Sequence, residues 1–139
     1  MAQAFAVAKL DDIAHPEWSY WAPIRHAFDI RAFGINSWRK DNGDTLIPEH
    51  DESASGHEEL YLVVDGHATF TVDGAEVDAP KDTAVFISDP SVKRTAVANA
   101  DGTHVLSIGG WADRAFEPSE WEAKYCESVP RVPEHVPTN

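Results

Sequence analysis

Short apolar runs separated by turn residues fill the middle of this chain. Asp-Gly pairs stand at Asp65-Gly66, Asp73-Gly74 and Asp101-Gly102, and each follows a run in which apolar and polar residues alternate. Alternation with a period of two is typical of half-buried strands, and Asp-Gly favours tight hairpins. The sequence therefore predicts an all-β sandwich or barrel. Its expected strands are IRAFGINSWR, TLIPEH, EELYLVV, HATFTV, AEV, TAVFI, VKRTAVA and THVLSI.

The segment before these strands has a different pattern of residues. Val7, Leu10 and Ile13 recur about one helical turn apart, and several aromatic residues follow around two prolines. Aromatic rings bury much apolar area, so we expect Trp18 and Trp21 to pack against the body or a second subunit. Residues 1–29 are predicted to form a helical and aromatic arm.

The chain after residue 112 is predicted to hold one helix and a tail. Ser119-x-x-Glu122 matches a capping box, in which the first side chain caps the new helix. The proline-rich end, VPRVPEHVPTN, is expected to be extended. The predicted organisation is an arm at 1–29, a barrel at 30–112, and a helix with tail at 113–139.

Charge and composition narrow the partners of the protein. The 139 residues include 24 Asp and Glu against 11 Lys and Arg, a net charge of −13. A phosphate backbone or anionic membrane would repel such a surface, so we expect no nucleic-acid and no membrane partner. No apolar run approaches the roughly 20 residues of a membrane helix. The single cysteine, Cys126, has no internal partner, which favours a reducing, cytoplasmic location.

One stretch combines titratable residues with the strand pattern. In GHEELYLVVDG, six residues separate Glu59 from Gly66, and His50-Asp51-Glu52 precedes it. With Gly43 before them and PKDTAVFISDP after, these residues resemble the motifs of the cupin superfamily, specifically small single-domain cupins. The resemblance covers residues 30–110 and implies a jelly-roll barrel. Because cupins have many functions, it does not determine the activity.

The match departs from the cupin pattern at the ligand positions. Glu52 stands where the second histidine of the first motif belongs. Lys93 or Arg94, depending on the alignment, stands where the second motif has its histidine. Members with the full ligand set hold Fe, Mn, Ni, Cu or Zn, and this chain keeps one histidine and Glu59.

One interpretation of the remaining residues is that they form a divalent-metal site. His50, Glu52 and Glu59 offer one nitrogen and two carboxylates, and His57 shares the strand face of Glu59. These four residues are the candidate metal ligands. A cationic side chain in the vacated position opposes a bound cation in a low-dielectric pocket.

The favoured interpretation is that these residues form a metal-free pocket. A carboxylate in an apolar barrel has a raised pKa and acts as a general acid or base near neutral pH. Glu59 and Glu52 are the expected acid–base groups, with Arg94 or Lys93 holding an anionic or carbonyl group. The expected substrate-binding residues on the pocket wall are Tyr61, Phe70, Phe86 and Trp38.

Three classes of function follow from these two readings. The first is an enzyme that transforms a small metabolite inside the barrel, by isomerisation, elimination or cyclisation. The second is a metal-dependent cupin enzyme, oxygenase-like or hydrolytic. The third is a non-catalytic module that binds or senses a small molecule. A homodimer is expected, because small cupins usually pair and the aromatic arm offers a surface.

Overall fold

Two antiparallel sheets face each other in a computed structural model, which describes residues 4–132. One sheet has five strands in the order β1-β2-β9-β4-β7, and the other has four in the order β3-β8-β5-β6. The elements in chain order are β1 (Trp21–Ala22), α1 (Ile24–Phe28), β2 (Gly34–Lys40), β3 (Thr45–His50), β4 (Glu58–Asp65), β5 (His67–Val72), β6 (Ala75–Pro80), β7 (Ala84–Ile87), β8 (Arg94–Ala98), β9 (Thr103–Gly110) and α2 (Glu120–Tyr125).

The strands form where apolar and polar residues alternate. In β4, Tyr61 and Val63 point between the sheets and are almost fully buried, while Glu58 is exposed. The core lies between the two sheets and includes Leu46, Phe70 and Val105. All eight predicted runs are strands, and the predicted jelly-roll β fold is confirmed.

The N-terminal arm contributes little helix. Only Leu10–Asp12 form a single 3-10 turn before β1, and Val7 is exposed, so the helical spacing of its apolar residues does not produce the expected helix there. A helix this short gains little without a packed face. Trp21 packs on the body instead, with its ring stacked 5.8 Å from that of Trp38.

The C-terminal segment folds back across the barrel. Helix α2 starts after Ser119, as predicted, but Ser119 makes no side-chain cap hydrogen bond. Its Glu122 turns inward to Arg25 of α1, with Oε2 2.7 Å from Nε, and both side chains are buried. Residues 133–139 of the predicted tail lie outside the described residues. Within residues 4–132, no helix combines the length and apolar character needed to cross a membrane.

Candidate functional site

A cavity of about 1030 Å³ opens between the sheets at one end of the barrel. Strands β2, β3, β4 and β9 form its floor, and the segment from Trp111 to Glu122 covers one side. Its wall is largely apolar and aromatic, with carboxylates and imidazoles set into it. The residues that carry most of this wall are Trp38, Ile47, Tyr61, Trp111, Phe116 and Trp121.

Glu59 lies at the inner end of this cavity. Strand alternation places it on the same face as Tyr61, whose hydroxyl donates a hydrogen bond to Glu59 Oε1. Arg94 Nη1 donates to the same oxygen at 3.1 Å. Burial raises the pKa of Glu59 above its ordinary value, and the Tyr61 hydrogen bond opposes this shift. Two hydrogen bonds to Oε1 thus fix the orientation of the carboxylate, while Oε2 accepts no hydrogen bond from the described residues.

Glu52 and His50 form a second pair beside Glu59. His50 Nε2 lies 3.0 Å from Glu52 Oε1, and His50 Nδ1 lies 2.7 Å from the carbonyl oxygen of Pro48. Because carbonyl and carboxylate oxygens only accept, both ring nitrogens carry protons when these hydrogen bonds form together. The Glu52 hydrogen bond raises the pKa of His50. Burial opposes ionisation of Glu52, but the hydrogen bond with His50 and the closeness of His57 hold the pKa of Glu52 well below its usual range.

His57 points into the cavity, as its shared strand face with Glu59 predicts. Its Nε2 lies 3.3 Å from Glu52 Oε2 and 3.9 Å from Glu59 Oε2. Neither ring nitrogen has a hydrogen-bond partner among the described residues, although both are buried. The ring packs in a T-shaped arrangement with Trp111, at 5.6 Å between ring centres, and lies tilted to Phe116 at 6.0 Å. An imidazole beside two carboxylates, with no hydrogen-bond partner for either nitrogen, has a nitrogen available to a ligand.

The donor set fits a divalent cation of the kind that the cupin resemblance implies. One donor atom from each of His50, Glu52 and Glu59 lies within 4.8 Å of the others, and His57 Nε2 adds an unpartnered nitrogen. Imidazole and carboxylate suit Fe, Mn, Ni, Cu or Zn. The charge of Arg94 is directed to Glu59 Oε1, which leaves Oε2 available.

Two of the predicted site residues are exposed and do not line the cavity. Phe86 was expected on its wall, but it points outward from β7 and is 58% exposed, because its partner in the sheet is the outward-facing Leu60. Lys93 is exposed, just before β8. Arg94 alone points inward, and its side chain is fully buried behind Glu59.

Three further side chains have structural positions. Phe70 is buried in the core, with its ring centre 5.3 Å from that of Tyr61, behind the cavity rather than on its surface. His67 is bonded to Asp78 on the outer surface. His104 bonds Ser37, with its Nε2 2.6 Å from Oγ, away from the carboxylates.

Sequence reasoning missed the C-terminal wall of the site. Phe116 and Trp121 line the cavity although they follow the last strand by several residues. Phe116 sits over Gly34, where a Cβ would lie 2.5 Å from the ring, so the glycine makes room for it. The aromatic residues of AFEPSEW were the available signal, but nothing in the sequence says which way they fold back.

The fold and the site together define a class: this is a protein with the cupin fold. No family model and no curated protein matches the sequence. A cupin protein from Bacteroides fragilis is 17% identical, with 86% of this chain and 92% of that one covered at a TM-score of 0.62. The Cupin_2 domain of an XRE family transcriptional regulator from Enterobacter cloacae is 16% identical, with 66% and 94% covered at 0.54.

A third structure is similar over part of its length. A cupin-superfamily sugar phosphate isomerase from Silicibacter pomeroyi is 15% identical, with 68% of this chain and 60% of that one covered at a TM-score of 0.55. At these identities the likeness shows the fold. It confirms the cupin fold that the Glu59–Gly66 spacing and the alternating runs predict.

Proposed function

We propose that the protein binds a small metabolite in the barrel cavity and transforms it by proton transfer through Glu59. The observation that carries this proposal is the clamp on Glu59 Oε1. Tyr61 and Arg94 both donate to that oxygen, so Oε2 is oriented and free of hydrogen bonds from the described residues. A fixed carboxylate with a raised pKa suits general base catalysis near neutral pH. This proposal requires no metal, because Arg94 and His50 already balance the charges of Glu59 and Glu52.

The proposed step is the removal of a proton from a carbon next to a carbonyl group. The C–H bond breaks, its electron pair remains on the substrate as an enolate, and the proton passes to Glu59 Oε2. The His50 imidazolium, hydrogen-bonded to Glu52, lies beside this position, and its positive charge stabilises the enolate. Returning the proton to the neighbouring carbon gives an isomer. Expelling a leaving group from the carbon beyond gives an elimination. The isomerase named among the similar structures supports carbonyl sugars as first test compounds.

Deuterium exchange tests this function before the product is known. A panel of small carbonyl compounds, including free and phosphorylated sugars, is incubated with the protein in D₂O and followed by proton NMR. We expect one compound to lose a C–H signal with the wild-type protein. Glu59→Gln should slow that exchange by about 100-fold or more, the usual size of a general-base contribution.

Glu58→Gln is the matched control, because Glu58 is the adjacent residue on β4 and is exposed. Its exchange rate should equal that of the wild type. Full exchange by Glu59→Gln would contradict the proposal. A compound that binds in the cavity without any exchange would favour the third class of function, a binding or sensing module.

A metal-dependent enzyme is the second candidate, and the unpartnered nitrogens of His57 favour it. His50, Glu52, Glu59 and His57 would hold the cation. A bound divalent cation supplies Lewis-acid polarisation of a substrate oxygen. The residues around it would still orient the substrate, and Tyr61 would still fix the position of the Glu59 carboxylate.

Metal analysis of protein purified without an affinity tag separates the two candidates. Stoichiometric Fe, Mn, Ni, Cu or Zn that disappears in His50→Ala but persists in His67→Ala would establish the second candidate and overturn the metal-free one. His67 is a suitable control because it lies on the outer surface. Protein that is fully active in the exchange assay without metal would overturn the second candidate.

A further inference from the structure

The inner wall of the cavity presents no Lys or Arg side chain to hold a substrate anion. Arg94 was expected to hold an anionic group, but its side chain is fully buried behind Glu59. Its Nη1 donates to Glu59, its Nε donates to the Val92 carbonyl oxygen at 3.0 Å, and its Nη2 is buried without a partner among the described residues. Lys93 is on the surface. Among the residues that line the cavity, Arg114 is the only Arg or Lys, and it sits at the exposed rim.

Carboxylates outnumber cations around the cavity. Glu59 is paired with Arg94, and Glu122 with Arg25. Asp51, Glu117 and Glu120 also line it, and no Arg or Lys lies within ion-pair distance of them in the described part of the chain. The lining acids are therefore Asp51, Glu52, Glu59, Glu117, Glu120 and Glu122. A cleft lined by one sign of charge raises the local concentration of the opposite ion, and the net charge of −13 adds to this field.

The walls between these carboxylates are aromatic. The indole nitrogen of Trp38 donates to Ser107 Oγ at 2.9 Å, and that of Trp111 donates to the Ser55 carbonyl oxygen at 2.9 Å. With their N–H groups engaged, these rings offer only π surface to a ligand. The guanidinium of Arg114 lies over the Trp111 ring, 4.3 Å from its centre. One face of the Trp111 ring thus already carries a cation of the protein itself.

From these three features we infer that the ligand of the barrel cavity is an organic cation, an amine or quaternary ammonium compound, held by aromatic faces and carboxylates. Aromatic rings attract such cations through their quadrupole, most strongly when water is excluded. The inference rests on the proposed function, because it identifies the substrate class of the same cavity. It implies a carbonyl compound that also carries an amine, rather than a sugar phosphate.

Three probes of one shape and different charge test the inference. Choline, the neutral 3,3-dimethylbutan-1-ol and the anion 3,3-dimethylbutanoate are titrated in phosphate buffer at low ionic strength, with binding followed by calorimetry and saturation-transfer NMR. We expect choline to bind at least about tenfold more tightly than the neutral alcohol, the upper range of a cation–π contribution. The anion should show the weakest binding of the three.

Two variants locate the bound probe. Trp121→Leu removes a half-exposed ring of the wall and should weaken choline binding by about tenfold, whereas Phe86→Leu, on the outer face of β7, should have no effect. The double variant Glu117→Gln/Glu120→Gln should weaken choline binding by about threefold or more without changing the affinity for the alcohol. The control is the double variant Glu17→Gln/Glu76→Gln, which makes the same charge change at two exposed residues away from the cavity. It should leave choline binding unchanged.

Each other outcome overturns the inference. If the alcohol or the anion binds as tightly as choline, the cavity binds small molecules but the ligand class is wrong. If choline binding is unchanged in Trp121→Leu, choline lies outside the cavity. If none of the probes binds, the cavity does not select cations, and the deuterium exchange of Glu59→Gln decides the proposed function separately.

Discussion

Gly66 shows at the scale of one residue why the spacing after Glu59 is informative. It joins β4 to β5 with a φ of +76°, and a Cβ there would lie 2.7 Å from the Cα of Thr103. The position therefore needs both a left-handed backbone and the absence of a side chain. Since Gly66 ends β4, it determines which residue of that strand reaches the inner end of the cavity, and this residue is Glu59.

Substitution of Gly66 tests this reading. Gly66→Ala should lower the free energy of unfolding by about 1–2 kcal/mol for the left-handed backbone and by about 1–3 kcal/mol more for the contact with Thr103. Gly102→Ala is the matched control, because Gly102 has a φ of +69° with nothing within 4 Å of the added Cβ. Urea denaturation measures both variants, and an equal loss in the two would contradict the steric part.

The hydrogen bond between His50 and Glu52 predicts a pH dependence. Glu52 raises the pKa of His50 above 6.5, so the folded state holds this proton more tightly than the unfolded chain. The pair therefore stabilises the fold fully between about pH 4.5 and pH 6.5, and the contribution of His50 is lost as the pH rises through the pKa of folded His50. NMR titration of chelator-treated protein should show the raised pKa, and Glu52→Gln should lower it. An unchanged pKa in that variant would mean that Glu52 is not the cause.

At the scale of elements, a buried ion pair joins α2 to α1. Arg25 on α1 and Glu122 on α2 are separated by 97 positions, and the Arg25 Nη1 also donates to the Ile30 carbonyl oxygen at 2.9 Å. Removing Glu122 leaves Arg25 buried with only Asp29, at 3.9 Å, as a counter-ion. The pair also positions the aromatic wall of the cavity, because Trp121 precedes Glu122 on the same helix.

Glu122→Ala should therefore lower the free energy of unfolding by about 3–5 kcal/mol. It should also change the tryptophan fluorescence, because Trp121 would lose its packing. The exposed neighbour Glu120→Ala should stay within about 0.5 kcal/mol of the wild type. Urea denaturation followed by fluorescence checks both, and a loss of less than 1 kcal/mol in Glu122→Ala would show that the helix is held by other contacts.

For the whole molecule, the homodimer stays a prediction. Phe5 and Val7 in the arm are 70% and 78% exposed, and exposed apolar side chains of this size favour a covering surface. Light scattering after size exclusion should give the mass of two chains. The double variant Phe5→Ser/Val7→Ser should shift the protein towards the monomer, whereas Phe86→Ser, exposed on β7, should not. A monomeric wild type would contradict the prediction.

The strand pattern and the spacing before Gly66 were sufficient for the fold and for part of the site. Alternation placed Glu59 and His57 on one face and turned Glu58 outward, because a strand has a strict period of two. The same reasoning failed for Phe86, since TAVFI is apolar at consecutive positions and its period does not tell the inner face from the outer one. It also could not choose between Lys93 and Arg94, which are adjacent and of one charge.

By itself, then, the sequence determined the eight strands, because these depend on local periodicity and on glycines at turns. Its resemblance to the cupins implied the jelly-roll β fold and the inward direction of Glu59. Only the tertiary structure decided that Arg94 is buried in an ion pair with Glu59, and that His57 lies between two carboxylates. It also decided that the segment from Trp111 to Glu122 lines one side of the cavity. Those features depend on contacts between residues up to 97 positions apart. Their energies come from burial and charge pairing, which no local pattern encodes.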